Sequence, residues 1–188
     1  MIFLNRRTAI SLIALVACGG GAAASPDSAA LCDRTCMDGI ALRSLRDAIK
    51  VVYNMRLSGN PVGAQDQMFD CLPSGTVHVH GTATSNADQG TTNVDLTYVL
   101  TQCKFSETYS DPTRTFSMTL TGTVTESGTI AVQPSSTTAL QIKGSITFSG
   151  TVYWPAIMYS EPACTVAVGQ NGNDLSGTTC GRVAGVAL

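Results

Sequence analysis

The chain has 188 residues, with 11 Lys and Arg against 13 Asp and Glu, a formal net charge of −2 and only 13% charged residues. Low charge and the absence of any Lys or Arg run exclude a basic nucleic-acid surface and a disordered charged tail. The length suits one domain with a real core, and the wealth of Thr, Val and Ile suits a sheet.

Arg6 and Arg7 precede a short apolar run, Ala9 to Ala17, as in an export signal. The run falls well short of the ~20 residues that a membrane-spanning helix needs. It ends in Leu15-Val16-Ala17-Cys18. Over about the first twenty residues the chain resembles bacterial lipoproteins, whose lipobox sets Leu, a small or branched residue, and Ala or Gly before a Cys. All four positions match. The resemblance implies cleavage between Ala17 and Cys18, a diacylglyceryl group on the Cys18 thiol and an acyl chain such as palmitate on its α-amino group. The partner is then the lipid bilayer, since each buried CH₂ of the acyl chains contributes about 0.8 kcal/mol. Gly19, in place of an Asp, points by the same analogy to the outer rather than the inner membrane, with the domain periplasmic or surface-exposed. Residues 1–17 are accordingly read as a signal peptide, and 18–28 as the lipidated Cys and a flexible Gly- and Ala-rich tether. Loss of Arg6 and Arg7 with the leader takes the net charge from −2 to −4, because all 13 acidic residues lie beyond Cys18.

Residues 29–188 read as a single α+β domain, with a helix over 29–57 and a sheet over 76–188. Ala41, Leu42, Leu45, Ala48, Ile49 and Val52 form an apolar stripe, with Arg43, Arg46, Asp47 and Lys50 opposite. Asp27 or Ser28 is expected to cap the start, and Ser58-Gly-Asn-Pro61 to stop the helix. Cys32 and Cys36 fall away from the stripe, so a break at Gly39 is expected to give the first turns their own direction. The stretch 58–75 reads as a loop.

The sheet is carried by a recurring phrase: apolar, any residue, Gly, then Thr or Ser. Leu120 to Ile130 lines up with Ile142 to Val152, and Val79 to Thr84 and Leu175 to Thr179 are shorter copies. Such alternation describes strands with one buried face and one hydroxyl-rich face. Glu126-Ser-Gly128 reads either as a turn or as continuous strand, as the matching Phe148-Ser-Gly150 does. Trp154 is placed at the end of the strand that Leu140 begins. Gly81, Gly122 and Gly144 fall in phase with the apolar residues and so face inward, to admit either the helix or a bend. The expected fold is one N-terminal helix on a curved, mostly antiparallel sheet, a meander or half-barrel stapled by disulfides.

With Cys18 spent on lipid, six cysteines remain: Cys32, Cys36, Cys71, Cys103, Cys164 and Cys180. An even number in an exported chain points to three disulfides. Cys164 and Cys180 flank a hairpin that turns near Asn171-Gly-Asn-Asp174 and are expected to pair. Cys71 and Cys103 either pair together or each take one of Cys32 and Cys36.

The histidines, His78 and His80, lie two apart on one strand and face the same way; with Asp95 on the next strand they are the one metal-site candidate. Thr82 and Thr84 continue that face, which equally suits solvent-exposed imidazoles. No Gly-x-Ser-x-Gly elbow, paired carboxylates or phosphate-binding glycine loop occurs, and Glu107, Asp111, Glu126 and Glu161 read as isolated turn carboxylates. Neither catalytic residues nor a cofactor are expected. Tyr153, Trp154 and Tyr159, on an expected loop with Ile157 and Met158, are candidates for partner contact. The expected role is non-enzymatic binding or scaffolding in the cell envelope, with carriage of a small apolar ligand or lipid in the sheet's concavity as the alternative, and hydrolase or metal binding behind both.

Overall fold

The computed structural model describes residues 32–57, 62–131 and 138–188. One helix, α1 (Arg34–Val52), runs on into a π-helical turn at Tyr53–Leu57. Eight strands follow: β1 (Gly63–Asp70), β2 (Ser74–Asn86), β3 (Thr91–Glu107), β4 (Phe116–Ala131), β5 (Ala139–Val152), β6 (Ile157–Asn171), β7 (Asp174–Thr179) and β8 (Arg182–Ala187). Each strand pairs antiparallel with its neighbour in the chain, giving an open meander in the order β1 to β8.

Asp33 caps α1, its carboxylate accepting from the Cys36 amide at 2.9 Å; Asp27 and Ser28, expected in that role, lie outside the described residues, as does the expected stop at 58–61. The expected break at Gly39 does not occur, and α1 continues through it. Cys32 and Cys36 need no other strand to reach them, because they bond to each other across the capped first turn. The apolar stripe is buried as expected, but so are Arg43 and Arg46 on the side expected to face water. The helix is therefore covered on more than one side.

Inward alternation carries the core through Val77 and Val79 on β2, Leu96 and Tyr98 on β3, Met118 and Leu120 on β4, and Ile142 and Phe148 on β5. β4 and β5 run straight through Glu126-Ser-Gly128 and Phe148-Ser-Gly150, which settles the ambiguous turn. Two breaks in alternation are bulges. In β3 the register shifts between Leu100 and Cys103, so that both residues face inward three apart; in β6 Ala163 at φ +50° does the same between Tyr159 and Cys164.

The stretch expected as a loop contains β1. It is a polar edge strand whose Met68 is exposed, so it lacks the apolar alternation of the inner strands. The glycines do sit in phase with the buried residues, but not to admit the helix. A Cβ on Gly122 would lie 2.3 Å from the Ser145 carbonyl oxygen, and one on Gly144 would lie 2.2 Å from that of Thr123. Each glycine makes room for the backbone of the adjoining strand.

The other cysteines pair as Cys71–Cys103 and Cys164–Cys180, with Cα atoms 5.4 and 4.5 Å apart. The first resolves the open choice and ties the β1–β2 turn to the β3 bulge; the second closes the β6–β7 hairpin. Chain entropy ranks the three. Closing loops of 32, 16 and 4 residues is worth about 3.7, 3 and 2 kcal/mol, so double Ser replacement at Cys71 and Cys103 is expected to lower the urea midpoint most, and at Cys32 and Cys36 least.

Candidate functional site

Four cations converge where the C-terminal half of α1 meets the sheet. Arg43, Arg46 and Lys50 lie three and four residues apart and so share one face of the helix. Arg114 reaches the same place from the short turn Pro112–Arg114, which Asp111 caps by accepting from the Thr113 amide at 2.9 Å. They line a cavity of about 450 Å³ whose walls also include Asp47, Tyr53 and Tyr109.

Arg43 is only 6% exposed. One terminal nitrogen donates to the Ala187 carbonyl of β8, yet its Nε is buried without a hydrogen-bond partner. The Arg114 Nε is likewise buried and unpartnered, and its guanidinium carbon lies 4.8 Å from the centre of the Tyr109 ring. Burial, and then the like charge of Arg114, lowers the Arg43 pKa. The two guanidiniums therefore sit together at an electrostatic cost.

Arg46 is differently placed. Its Nε donates to Gln170 Oε1 at 2.5 Å, and a terminal nitrogen lies 3.8 Å from Glu126 Oε1. Glu126, expected in a turn, is instead fully buried on the inner face of β4 and accepts from the Tyr98 hydroxyl at 2.9 Å. Burial raises the Glu126 pKa against the opposing pull of Arg46 and Tyr98, and burial with the Glu126 charge pushes that of Tyr98 well up. This network pins α1 to β3, β4 and β6 and sets the Glu126 carboxyl beside Arg46. Burial also raises the Asp47 pKa, opposed by Arg43, Lys50 and Arg46.

At the other end of α1, Asp38 is 1% exposed and accepts from the Tyr159 hydroxyl at 2.7 Å and from Arg182 Nε at 2.6 Å. Arg34 and Arg182 both pair with Glu161 as well. Glu161 thus lies in β6 and in an ion-pair cluster, not isolated in a turn.

The histidines stand on the outer face of β2 with ring centres 5.1 Å apart. The carboxylate that meets His78 is not Asp95 but Asp66 of β1, 2.6 Å from Nε2; Asp95 is opposite Thr82, while Thr97 is opposite His80. Among the described residues no three His, Cys, Asp or Glu side chains group closely enough to hold a metal ion. The aromatic candidates separate too. Trp154 is 66% exposed in the turn after β5 rather than on that strand's inner face, Tyr153 is buried at φ +68°, and Tyr159 belongs to β6 and points into the core. Cys18 lies outside the described residues.

The apolar stripe of α1 sends its basic row to water, and nothing in the local sequence singles out Arg114. The i, i+3, i+7 spacing of Arg43, Arg46 and Lys50 was the readable signal. Comparison with known protein families, with characterised proteins and with solved structures finds no match to this chain.

Proposed function

We propose that this chain is an exported lipoprotein, held on the bacterial envelope through acylated Cys18, whose domain binds or scaffolds rather than catalyses. The observation that carries this reading is the fate of the cysteines. The six beyond Cys18 pair among themselves, as an oxidising compartment permits, and the odd seventh stands in the lipobox. A bound bilayer, by the Gly19 analogy that of the outer membrane, is the first partner. The non-catalytic part is supported by the occupation of the groups most suited to acid–base work: Asp38 by Tyr159 and Arg182, Glu126 by Tyr98, and His78 by Asp66.

The sheet curls around α1 in this reading. Strands stand about 4.8 Å apart, so β4 and β8 of a flat sheet would be roughly 19 Å from each other, yet α1 bonds to both through Arg46 and Arg43. The inward glycines, which let adjoining strands approach closely, favour the same bend. Carriage of an apolar molecule in the concavity has less support. Leu42, Leu45 and Ile49 of α1 belong to the same buried cluster as the inner face of the sheet, and the apolar cavity beside Phe69 and Phe105 has room for only about 20 Å³.

Cys18→Ala in the full chain is expected to lose the lipid mass that mass spectrometry finds on the wild type and to move from the membrane fraction to the soluble fraction. Unchanged membrane association of that variant overturns the anchor.

A further inference from the structure

We propose that the cavity lined by Arg43, Arg46, Lys50 and Arg114 is a binding site for a small organic oxyanion, a carboxylate or phosphate ester carried on a polar body. The inference deepens the binding role proposed above and rests on it for physiology, but not on the membrane address.

Three observations carry it. The first is orphaned donors. Arg43 is more than nine-tenths buried, its Nε has no hydrogen-bond partner, and the Nε of Arg114 is in the same condition. Both residues line the cavity, and a buried donor left unmade costs about 1–3 kcal/mol, more when charged. Guanidinium forks match the oxygen spacing of carboxylates and phosphates.

The second is charge. Arg46 is answered by Glu126, which leaves Arg43, Arg114 and Lys50 facing Asp47 inside the cavity. Asp111 lies within electrostatic reach, but it is exposed and held by Thr113 through both amide and hydroxyl. Positive charge remains in excess, and a negative group between Arg43 and Arg114 adds to the partial relief that Asp47 and Asp111 give Arg43.

The third is size. About 450 Å³ falls within the usual range for small-molecule sites and exceeds what one inorganic ion fills. Tyr53 and Tyr109 offer ring faces, and Asn54, Thr138 and Asn173 offer hydrogen bonds to hydroxyls of a polar body.

The test is calorimetric titration of the full chain, purified in detergent, with glucose 6-phosphate, citrate and sodium phosphate, and with glucose as the neutral control. Glucose 6-phosphate or citrate is expected to bind more tightly than inorganic phosphate, and glucose not at all. Whichever of the two binds identifies the head group as phosphate or carboxylate. Arg114→Gln and Lys50→Gln, at a turn and an exposed helix position, are expected to weaken binding about tenfold or more with the melting temperature unchanged. Lys143→Gln, on the exposed face of β5, leaves it unaltered. Absence of heat with all three anions, or binding indifferent to Arg114→Gln and Lys50→Gln, overturns the proposal. Neither outcome bears on where Cys18 places the protein.

Discussion

Gly144→Val is expected to cost roughly 4 kcal/mol or more, whereas Ser145→Val beside it changes stability by less than about 1 kcal/mol. A side chain at 144 starts 2.2 Å from the Thr123 carbonyl oxygen and 2.7 Å from the Val124 Cα, where ordinary contact needs more than 3 Å. Both obstructing atoms are backbone in the middle of an eight-stranded sheet, so no flexible side chain can yield. The approach is reciprocal: Gly122, at φ +143°, makes the same room for Ser145, and there any L side chain adds conformational strain. Ser145 faces water and gains β-branching that suits a strand. For a domain of this size 1 kcal/mol moves the melting temperature by about 2–4 °C, so the first variant should melt about 10 °C or more below the wild type. Thermal denaturation of the two variants in parallel checks this, and equal melting temperatures would refute the close strand approach.

That prediction draws on the part of the fold most legible in the sequence. The repeated apolar-x-Gly-Thr phrase exposes both the alternation and the inward phase of the glycines, because a period of two survives wherever strands are regular. It fails where they are not. The extra residues at the β3 and β6 bulges reverse parity between Leu100 and Cys103 and between Tyr159 and Cys164, so Tyr159 reads as part of an exposed loop. β1 is missed because an edge strand with Gln and Asp on it carries no apolar pattern. The candidate site was hidden for another reason. A helical stripe counts apolar residues, and it sends Arg43 and Arg46 to water by default. Their partners are Ala187, Gln170 and Glu126, each eighty or more residues away in the chain, so no local spacing announces that those charges are buried.

The same long-range logic applies to Asp38, whose partners Tyr159 and Arg182 lie far along the chain. Asp38→Asn is expected to cost about 3 kcal/mol at pH 7, the lower end for breaking a buried pair, because Arg182 and Arg34 keep partial access to water. The pH dependence follows from its surroundings. Burial opposes ionisation of Asp38, but the hydrogen bonds from Arg182 and Tyr159 and the charges of Arg182 and Arg34 outweigh it, leaving the carboxyl below its ordinary 3.8. A depressed carboxyl contributes stability that is fully present above its ordinary value and is lost as pH falls through the folded value. Tyr159 is the mirror case, pushed from 10.0 up to about 12 by burial and by its bond to the Asp38 carboxylate. Its contribution is present below 10.0 and lost as pH rises through about 12. The wild type should therefore lose stability at both limbs, below about pH 4 and above about pH 10. Asp38→Asn should flatten the acid limb, and Tyr159→Phe the alkaline one, in urea unfolding followed across pH. Curves for the variants that run parallel to the wild type would mean the cluster carries no linked protons. The joint between α1, β6 and β8 would then owe its strength to packing, with the charges contributing little.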